Sequence, residues 1–408
     1  MKKLFFLIIS SVLLLTTVTG AIAAPLSPGL AVLSEADPMV ISGVIGEPVR
    51  FSSTDFRNHT GLSSYASITV SSLPDESEGT LTVDGKAIEK STRLSESDCD
   101  SLVFTPSEGV TKSEFTFTAA NGYETRCTVL LTETENRAPT ASSSLTTVMT
   151  FSGMSISGHM VASDADGDKL IYEITKEPAL GEISYDKNSG RFTYKGTKEG
   201  SDSFTFRARD SFGNYSEKAT VSLNVSRNTT GISFKDMKEN GAYAAAVMMT
   251  DEGILTAREE GGNVFFEPTE KVTRLDFLVC TMNALGAANL PTVSDTGFTD
   301  DSDIPENAKS YVYSARRLGI INGKQDENGA LYFDANGYIT AAEAAVIINN
   351  IIGYNASCDY CPGEEIPAWA EDSLYALHEL GIICASSAGE YLTKADCASL
   401  LSSLTSLV

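Results

Sequence analysis

One tetrapeptide pattern occurs three times in the C-terminal part of the chain: Thr273-Arg274-Leu275-Asp276, Thr340-Ala341-Ala342-Glu343 and Thr393-Lys394-Ala395-Asp396. A Gly-Ile step precedes each copy, at Gly253-Ile254, Gly319-Ile320 and Gly381-Ile382. An alanine that opens a helical pattern lies eleven residues before each of these glycines. An internal repeat of this length indicates an architecture of packed units before any chemistry is considered.

Each copy predicts a pair of helices. The first helix has apolar residues at offsets 0, +4 and +7, which form one stripe: Ala242, Ala246 and Met249; Ala308, Val312 and Ala315; Ala370, Leu374 and Leu377. The glycine that follows suits a left-handed C-cap. The threonine then begins the second helix, and the acid three residues later completes a capping box. Because a unit this small cannot bury its own apolar face, the three copies must pack together.

Two earlier segments, 37–134 and 136–226, alternate apolar and polar residues in the manner typical of half-buried strands. Gly79-Thr80-Leu81-Thr82-Val83 is an example in the first segment, and Gly181-Glu182-Ile183-Ser184-Tyr185 answers it in the second. Short strands separated by Gly, Pro, Asn and Asp at this spacing favour two β-sandwiches in tandem. The predicted fold is therefore multidomain, with two all-β domains before an all-α region.

The composition and the N-terminus indicate an exported protein. The 408 residues carry a net charge of −24, which would repel the phosphates of a nucleic acid. Residues 1–23 combine Lys2 and Lys3 with an apolar run and the small residues Ala21 and Ala23, which predicts a cleaved signal peptide. No later stretch reaches the roughly 18–20 continuous apolar residues of a membrane span. We therefore expect an exported protein without a hydrophobic anchor; if it stays on the cell, something else must hold it.

The seven cysteines leave several arrangements open. Cys99 and Cys127 fall in the same predicted β-domain and could form a disulfide. The motif Cys358-x-x-Cys361, together with Cys384 and Cys397, has the residue types of a zinc site. Cys384 and Cys397 also occupy ordinary core positions of the repeat, where cysteine acts as a small hydrophobic residue, and this second interpretation is favoured.

The second β-segment resembles the bacterial cadherin-like and Ig-like repeats of cell-surface proteins. The resemblance rests on Asn136-Arg137-Ala138-Pro139, Asp164 to Leu170, Pro178-Ala179-Leu180-Gly181, Asp202-Ser203-Phe204-Thr205-Phe206 and Asp210-Ser211-Phe212-Gly213. Asp164, Asp166 and Asp168 place three carboxylates on one short loop, and such hard oxygen ligands suit Ca²⁺. In the families that the segment resembles, this cluster binds calcium near a domain junction, which implies Asp210 as a distant further ligand. The alternative is a solvated turn.

The three C-terminal copies resemble the S-layer homology family, whose repeats open with Phe-x-Asp, continue through a Trp-Ala helix and Gly-Ile-Ile, and end in Ile-Thr-Arg-Ala-Glu. The matching residues are Phe234-Lys235-Asp236, Phe266-Glu267-Pro268, Phe298-Thr299-Asp300, Ile320-Ile321-Asn322-Gly323, Phe333-Asp334, Ile339 to Glu343 and Trp369-Ala370. The resemblance implies three repeats, 232–288, 296–353 and 358–408, in a pseudo-threefold bundle. It also implies a partner, which is secondary cell-wall polysaccharide, often pyruvylated, or a peptidoglycan-linked glycan.

The resemblance carries polysaccharide-binding roles over to ten positions: Asp236, Thr273, Arg274, Asp276, Asp300, Thr340, Glu343, Thr393, Lys394 and Asp396. The arginine after the capping threonine would lie at a helix N-terminus, where its guanidinium and unpaired backbone N–H groups can face an anionic sugar. Arg274 keeps this residue, Lys394 keeps only the charge, and Ala341 has lost it. The third copy also has a glycine-to-threonine spacing of twelve residues, against twenty and twenty-one in the others. One groove is thus complete, one weakened and one altered, while a purely structural Arg274 is the alternative.

These patterns favour a secreted S-layer or surface-associated structural protein that is anchored non-covalently to bacterial cell-wall polysaccharide and displays its two β-domains outward. One alternative is an adhesin whose β-domains bind a host or neighbouring-cell ligand, and another is a displayed cell-wall hydrolase. We expect no enzymatic activity, because the chain has only three histidines, His59, His159 and His378, and neither a His-Glu-x-x-His nor a Gly-x-Ser-x-Gly motif.

Overall fold

The structure is a computed structural model that describes residues 38–60, 64, 67–119, 124–356, 366–382 and 388–407. Between Asn136 and Arg137 the chain divides into two compact units. The predicted signal peptide, the motif Cys358-x-x-Cys361 and Cys384 all lie outside the described residues.

The first unit is a β-sandwich. Its elements are β1 (Met39–Val44), β2 (Val49–Arg50), α1 (Ser53–Thr60), β3 (Ile68–Ser72), β4 (Gly79–Val83), β5 (Lys86–Ala87), β6 (Arg93–Leu94), α2 (Glu96–Asp100), β7 (Leu102–Pro106), β8 (Lys112–Thr118) and β9 (Glu124–Thr132). One sheet has the order β1-β9-β8-β3-β6 and the other the order β2-β7-β4-β5. The predicted alternation is confirmed in β8, where Phe115 and Phe117 are buried and Thr116 between them is not.

Two cysteines belong to the core of this sandwich. Cys99 in α2 and Cys127 in β9 are completely buried, and the structure holds both as thiols. Burial raises the pKa of the Cys127 thiol well above its usual range, which keeps the sulfur protonated and unreactive. Of the arrangements that the sequence left open, the structure therefore has the one without a disulfide between these residues.

The second unit begins with another set of strands. They are β10 (Thr140–Ser142), β11 (Val148–Phe151), β12 (Ser155–His159), β13 (Val161–Ser163), β14 (Ile171–Lys176), β15 (Gly181–Tyr185), β16 (Arg191–Gly196), β17 (Gly200–Arg209) and β18 (Ala219–Ser226). They form sheets of order β11-β18-β17-β14, β12-β16-β15 and β10-β13. An early strand runs parallel to the last strand in both units, β1 beside β9 and β11 beside β18. This shared pairing supports the interpretation of the two sandwiches as siblings.

The remainder of the second unit is mainly helical. It contains α3 (Tyr243–Asp251), β19 (Arg258–Glu260), β20 (Asn263–Phe265), α4 (Arg274–Ala284), a 3₁₀ turn (Asp301–Asp303), α5 (Glu306–Arg317), β21 (Lys324–Gln325), β22 (Leu331–Tyr332), α6 (Ala341–Ile352), α7 (Glu371–Glu379) and α8 (Lys394–Thr405). The prediction of an all-α region was wrong in one respect, because β19–β20 and β21–β22 form hairpins. In the first two copies, the segment between glycine and threonine is long enough to form such a hairpin.

The helix caps follow the sequence pattern closely. The three predicted threonines cap α4, α6 and α8, and each hydroxyl accepts the backbone N–H three residues on. Glu343 and Asp396 complete capping boxes, whereas Asp276 accepts a hydrogen bond from the hydroxyl of Thr273 at 2.7 Å. The glycines after the first helices of the three copies have φ between 71° and 74°, which is the left-handed conformation of a helix C-cap.

Three backbone hydrogen bonds join the three copies in a closed ring. The N–H of Val272 donates to the carbonyl of Leu392 at 3.0 Å, the N–H of Leu392 donates to Ile339 at 3.0 Å, and that of Ile339 returns to Val272 at 3.1 Å. All three side chains are buried. Each copy therefore depends on both of the others to satisfy its backbone, which agrees with the expectation that the copies must pack together.

The second sandwich packs directly against the helical region, and the two share one hydrophobic core. The connection between them contributes to it, because Phe234 and Met237 are buried there. Gly241 lies so close to Ser157 and Thr193 that a side chain at this position would collide with them. The second of the two predicted β-domains therefore forms one compact unit with the helical region.

Two histidines meet at this packing surface. The imidazoles of His159 and His378 are edge to face with ring centres 4.9 Å apart, and His378 Nε2 donates to the carbonyl of Ala162 at 3.0 Å. Burial lowers the pKa of both, and His159 is lowered further by His378 and Arg191. For His378, the carbonyl of Ala162 and the nearby Glu379 act in the opposite direction without outweighing burial.

Acidification should therefore loosen the second unit. Above a pH of about 6.5, histidine is neutral in the folded and in the unfolded chain, so the pair does not lower the free energy of unfolding. Below that pH the unfolded chain takes up protons that the folded chain does not, and the free energy of unfolding falls. We expect the melting temperature of the full chain to fall between pH 7 and pH 5. The variant His378→Gln keeps a donor for the carbonyl of Ala162, and its melting temperature should fall less steeply over the same range. Equal pH dependence of the variant and the parent in differential scanning calorimetry would contradict this assignment.

Candidate functional site

The N-termini of the second helices are filled by the protein itself. The N–H of Arg274 donates to the carbonyl of Gly337 at 2.8 Å, and that of Leu275 to Ala335 at 3.3 Å. The other two copies repeat this arrangement: Ala341 to Glu390, Ala342 to Ala388, Lys394 to Glu270 and Ala395 to Pro268. The prediction that unpaired N–H groups face a sugar is therefore wrong, because a loop of another copy supplies a carbonyl to each.

Asp236 and Asp300, which were predicted to bind the ligand, hold loops in place. The two carboxylate oxygens of Asp236 accept from the N–H groups of Phe266 and Glu267 at 2.9 and 2.7 Å. The carboxylate oxygens of Asp300 likewise accept from the N–H groups of Phe333 and Asp334, at 2.7 and 2.8 Å. Glu267 and Asp334 have φ of 63° and 66°, a conformation that non-glycine residues seldom adopt. Asp236 stabilises the first of these loop residues, and Asp300 stabilises the second.

The capping residues are likewise engaged in the fold. Five of their side chains bind the backbone at the starts of α4, α6 and α8: Thr273, Thr340, Glu343, Thr393 and Asp396. The carboxylate of the sixth, Asp276, accepts from the hydroxyl of Thr273. Of these, Glu343 has a second role, because its other contacts are to basic side chains of the cluster that follows.

We call Arg274, Lys324, Phe333, Asp334 and Glu343 the Arg274 cluster. The guanidinium of Arg274 lies 5.5 Å from the centre of the Phe333 ring and 3.6 Å from a carboxylate oxygen of Glu343. Lys324 Nζ lies 2.7 Å from Asp334 and 3.0 Å from Glu343. The first repeat thus contributes its arginine to a cluster whose other four members belong to the second repeat.

Arg274 is deeply buried in this cluster, whereas Lys324 is not. Only 7% of Arg274 is exposed, and its Nε has no hydrogen-bond partner in the described part of the chain. Burial lowers the pKa of Arg274, while Glu343 and Asp334 act against this. Burial also acts to lower the pKa of Lys324, but its bonds to Asp334 and Glu343 outweigh it and raise the pKa. Both side chains therefore stay cationic, and one buried donor remains unfilled.

A second cluster has the same plan, and we call it the Lys394 cluster. Lys394 Nζ lies 5.1 Å from the centre of the Phe266 ring and 4.0 Å from Glu270. Arg258 pairs with Glu267 at 2.5 Å, as Lys324 pairs with Asp334. Hydrogen bonds to Glu267 and Glu260 raise the pKa of Arg258.

Arg258 and Lys324 were not predicted as site residues. Each lies five positions after the Gly-Ile glycine of its copy, at the start of a hairpin, and this common offset is the signal that could have found them. At the third junction Ala341 supplies no charge, and the corresponding loop residues 383–387 lie outside the described part of the chain.

The three predicted calcium ligands of one loop come together. Asp164, Asp166 and Asp168 each offer a carboxylate oxygen within 4.8 Å of the others. Oδ2 of Asp164 and Oδ2 of Asp168 are buried and have no hydrogen-bond partner in the described residues. Burial, followed by repulsion from Asp164, raises the pKa of Asp168, and Asp210 adds to this effect.

Two of the four predicted ligands, Asp166 and Asp210, are already partly engaged. Asp166 accepts from the backbone N–H of Arg137 at 2.8 Å and from its guanidinium at 2.6 Å. Asp210 is buried, and its Oδ1 accepts from the N–H groups of Phe212 and Asn214 at 2.9 and 2.8 Å. The residues therefore fit a cation best at the two orphaned oxygens, where positive charge would relieve the repulsion between Asp164 and Asp168.

Comparison with known families matches two segments of the chain. Residues 136–227 match the bacterial cadherin-like domain, and residues 297–345 match the S-layer homology domain. The second match spans the hairpin β21–β22 and the start of α6, and therefore contains Lys324, Phe333, Asp334 and Glu343.

Two curated relatives share a segment of 134 residues with 31% identity, which is 32% of this chain. They are exoglucanase XynX of Acetivibrio thermocellus and amylopullulanase of Thermoanaerobacterium thermosulfurigenes, of which the segment covers 12% and 7%. Among solved structures, fibronectin(III)-like modules of Clostridium thermocellum CbhA align over 47% of this chain and 93% of their own, at 11% identity and a TM-score of 0.22. That score is too low to indicate a shared fold.

Within the described residues, no helix has the length and apolar character needed to cross a membrane.

By the family matches, the β-rich region contains a bacterial cadherin-like domain, and the helical region contains an S-layer homology domain. Through this second domain, the chain is identified as a protein of the bacterial cell wall or cell surface.

Proposed function

We propose that the protein is anchored non-covalently to cell-wall polysaccharide by three S-layer homology repeats, 232–288, 296–353 and 358–408, in a pseudo-threefold bundle. The observation that carries the proposal is that two junctions between repeats have the same construction. At each one, a basic residue at a helix start lies over an aromatic ring of another repeat, and a basic hairpin residue of that other repeat pairs with the acid that directly follows the aromatic residue.

The Arg274 cluster suits an acidic sugar, such as a pyruvylated one. Lys324 is partly exposed, with 32% of its side chain accessible, so it can turn toward a ligand carboxylate. The unfilled Nε donor of Arg274 lies in a dry, low-dielectric position where a charge-assisted hydrogen bond is strong. Phe333 is fully buried, so its ring supports the Arg274 guanidinium and leaves contact with the sugar to the charged groups. The Lys394 cluster offers the same chemistry without the guanidinium fork at the helix start.

We further propose that the protein has no enzymatic role of its own. His159 and His378 meet where the second sandwich packs on the helical region. A substrate would have to separate the sandwich from the helices to reach them. The exoglucanase and amylopullulanase share only the short segment described above, so their activities do not transfer to this chain.

The cadherin-like domain is proposed to bind Ca²⁺ at Asp164 and Asp168, with Asp166 and Asp210 as further oxygen donors. An ion of this class takes six to eight oxygen ligands, so the loop carboxylates would be joined by backbone carbonyls or water. The ion would supply the positive charge that these buried carboxylates lack, and would thereby stabilise the loop.

The anchoring proposal predicts that Lys324→Gln weakens sedimentation of the full chain with isolated cell walls. Loss of one charged hydrogen bond should lower the affinity about tenfold, and Arg274→Lys should act in the same direction by removing the fork. Arg317→Gln, which makes the same change in charge at an exposed position of α5, is the matched control and should bind normally.

Walls from which acid has stripped the polysaccharide should no longer retain the parent protein. Unchanged retention on such walls would refute the choice of polysaccharide as partner. Parent-like affinity of both Lys324→Gln and Arg274→Lys would refute the Arg274 cluster as the binding site.

The calcium proposal predicts a higher melting temperature of the full chain in millimolar Ca²⁺ than in excess chelator. Asp168→Asn should abolish this difference, because it removes a charge and a hard oxygen ligand. Asp186→Asn is the matched control, since Asp186 lies in a turn of the same domain and accepts from the N–H of Asn188. A melting temperature that is the same with and without calcium would contradict the site.

A further inference from the structure

An exposed aromatic pair lies beside the backbone ring of the helical region. The residues that directly precede Val272, Leu392 and Ile339 are Lys271, Tyr391 and Tyr338. Neighbouring residues of an extended segment point to opposite sides, and this explains why the ring residues are buried while those before them face solvent. Tyr338 and Tyr391 are 48% and 47% exposed. We call Lys271, Tyr338 and Tyr391 the platform.

The platform is a compact cluster drawn from all three repeats. The rings of Tyr338 and Tyr391 have centres 5.9 Å apart at an angle of 63°. Lys271 Nζ lies 5.3 Å from the first ring centre and 4.8 Å from the second. Its neighbour Glu270 is directed toward Lys394, and within the described residues no carboxylate lies within ion-pair distance of Lys271.

The fold does not require aromatic residues at these positions. The side chains of Val272, Ile339 and Leu392 already fill the interior, and the threonines that follow them cap the helices. Two large, half-exposed rings side by side are a feature of binding surfaces, because their faces are apolar while their hydroxyls remain in water. Neither ring belongs to the Arg274 or the Lys394 cluster.

We infer that the platform is a further saccharide subsite, which takes an acidic sugar unit of the wall polysaccharide. The C–H face of a sugar ring would stack on one of the tyrosines, while the ammonium of Lys271 would pair with the sugar's carboxylate. The charge of Lys271 favours an anionic unit over a neutral one. This inference rests on the proposed function, because it places a second unit of the same polymer on the protein.

The test compares binding of the full chain to isolated cell walls and to polysaccharide released from them. The double variant Tyr338→Ala/Tyr391→Ala should raise the dissociation constant about tenfold, and Lys271→Gln should also raise it. Tyr185→Ala removes a tyrosine that is 40% exposed in the second sandwich and should leave binding unchanged.

Chemical nitration of the parent protein gives an answer that does not depend on the folding of any variant. Bound polysaccharide should protect Tyr338 and Tyr391, but not Tyr185, from tetranitromethane. Equal nitration with and without polysaccharide, or unchanged affinity of the double variant, would overturn the platform while leaving wall anchoring intact. Failure of the parent to bind walls at all would overturn both.

Discussion

Three hydrogen bonds among Val272, Ile339 and Leu392 determine the form of the helical region. They close into a ring, so no copy satisfies its own backbone at this position. The same constraint extends to the helix starts, where each pair of N–H groups is satisfied by carbonyls of a loop from another copy. Because every junction is made by two copies, the charged clusters also form between copies, and a single copy contains neither cluster in full.

The local features of the fold could be read from the sequence, and the contacts between copies could not. Thr340 with Glu343 identifies a helix start by spacing alone, since a capping box involves only neighbouring residues. The sequence does not reveal which loop approaches that helix. For this reason Arg274 was found as a candidate, whereas its companion Lys324 and the filling of the helix N-terminus became visible only with the copies in place.

The two β-sandwiches illustrate the same division. Alternation along β8 predicted which residues are buried, and the clustering of Asp164, Asp166 and Asp168 on one loop follows from their spacing. The packing of the second sandwich on the helices depends on residues such as Gly241, which in sequence resembles an ordinary part of a repeat. Its neighbours Ser157 and Thr193 lie on β12 and β16, far away in the chain, so no local pattern marks it.

The closed ring separates the kinds of mutation that a copy tolerates from those that it does not. Loss of a cation, as at Ala341, affects the chemistry of one junction and leaves the backbone arrangement undisturbed. A change that displaced Leu392 would remove one acceptor and one donor at once, and would leave both of the other copies with an unsatisfied group. The second copy can therefore lose its cation and the third can shorten its loop, while the short extended segment of each copy remains irreplaceable.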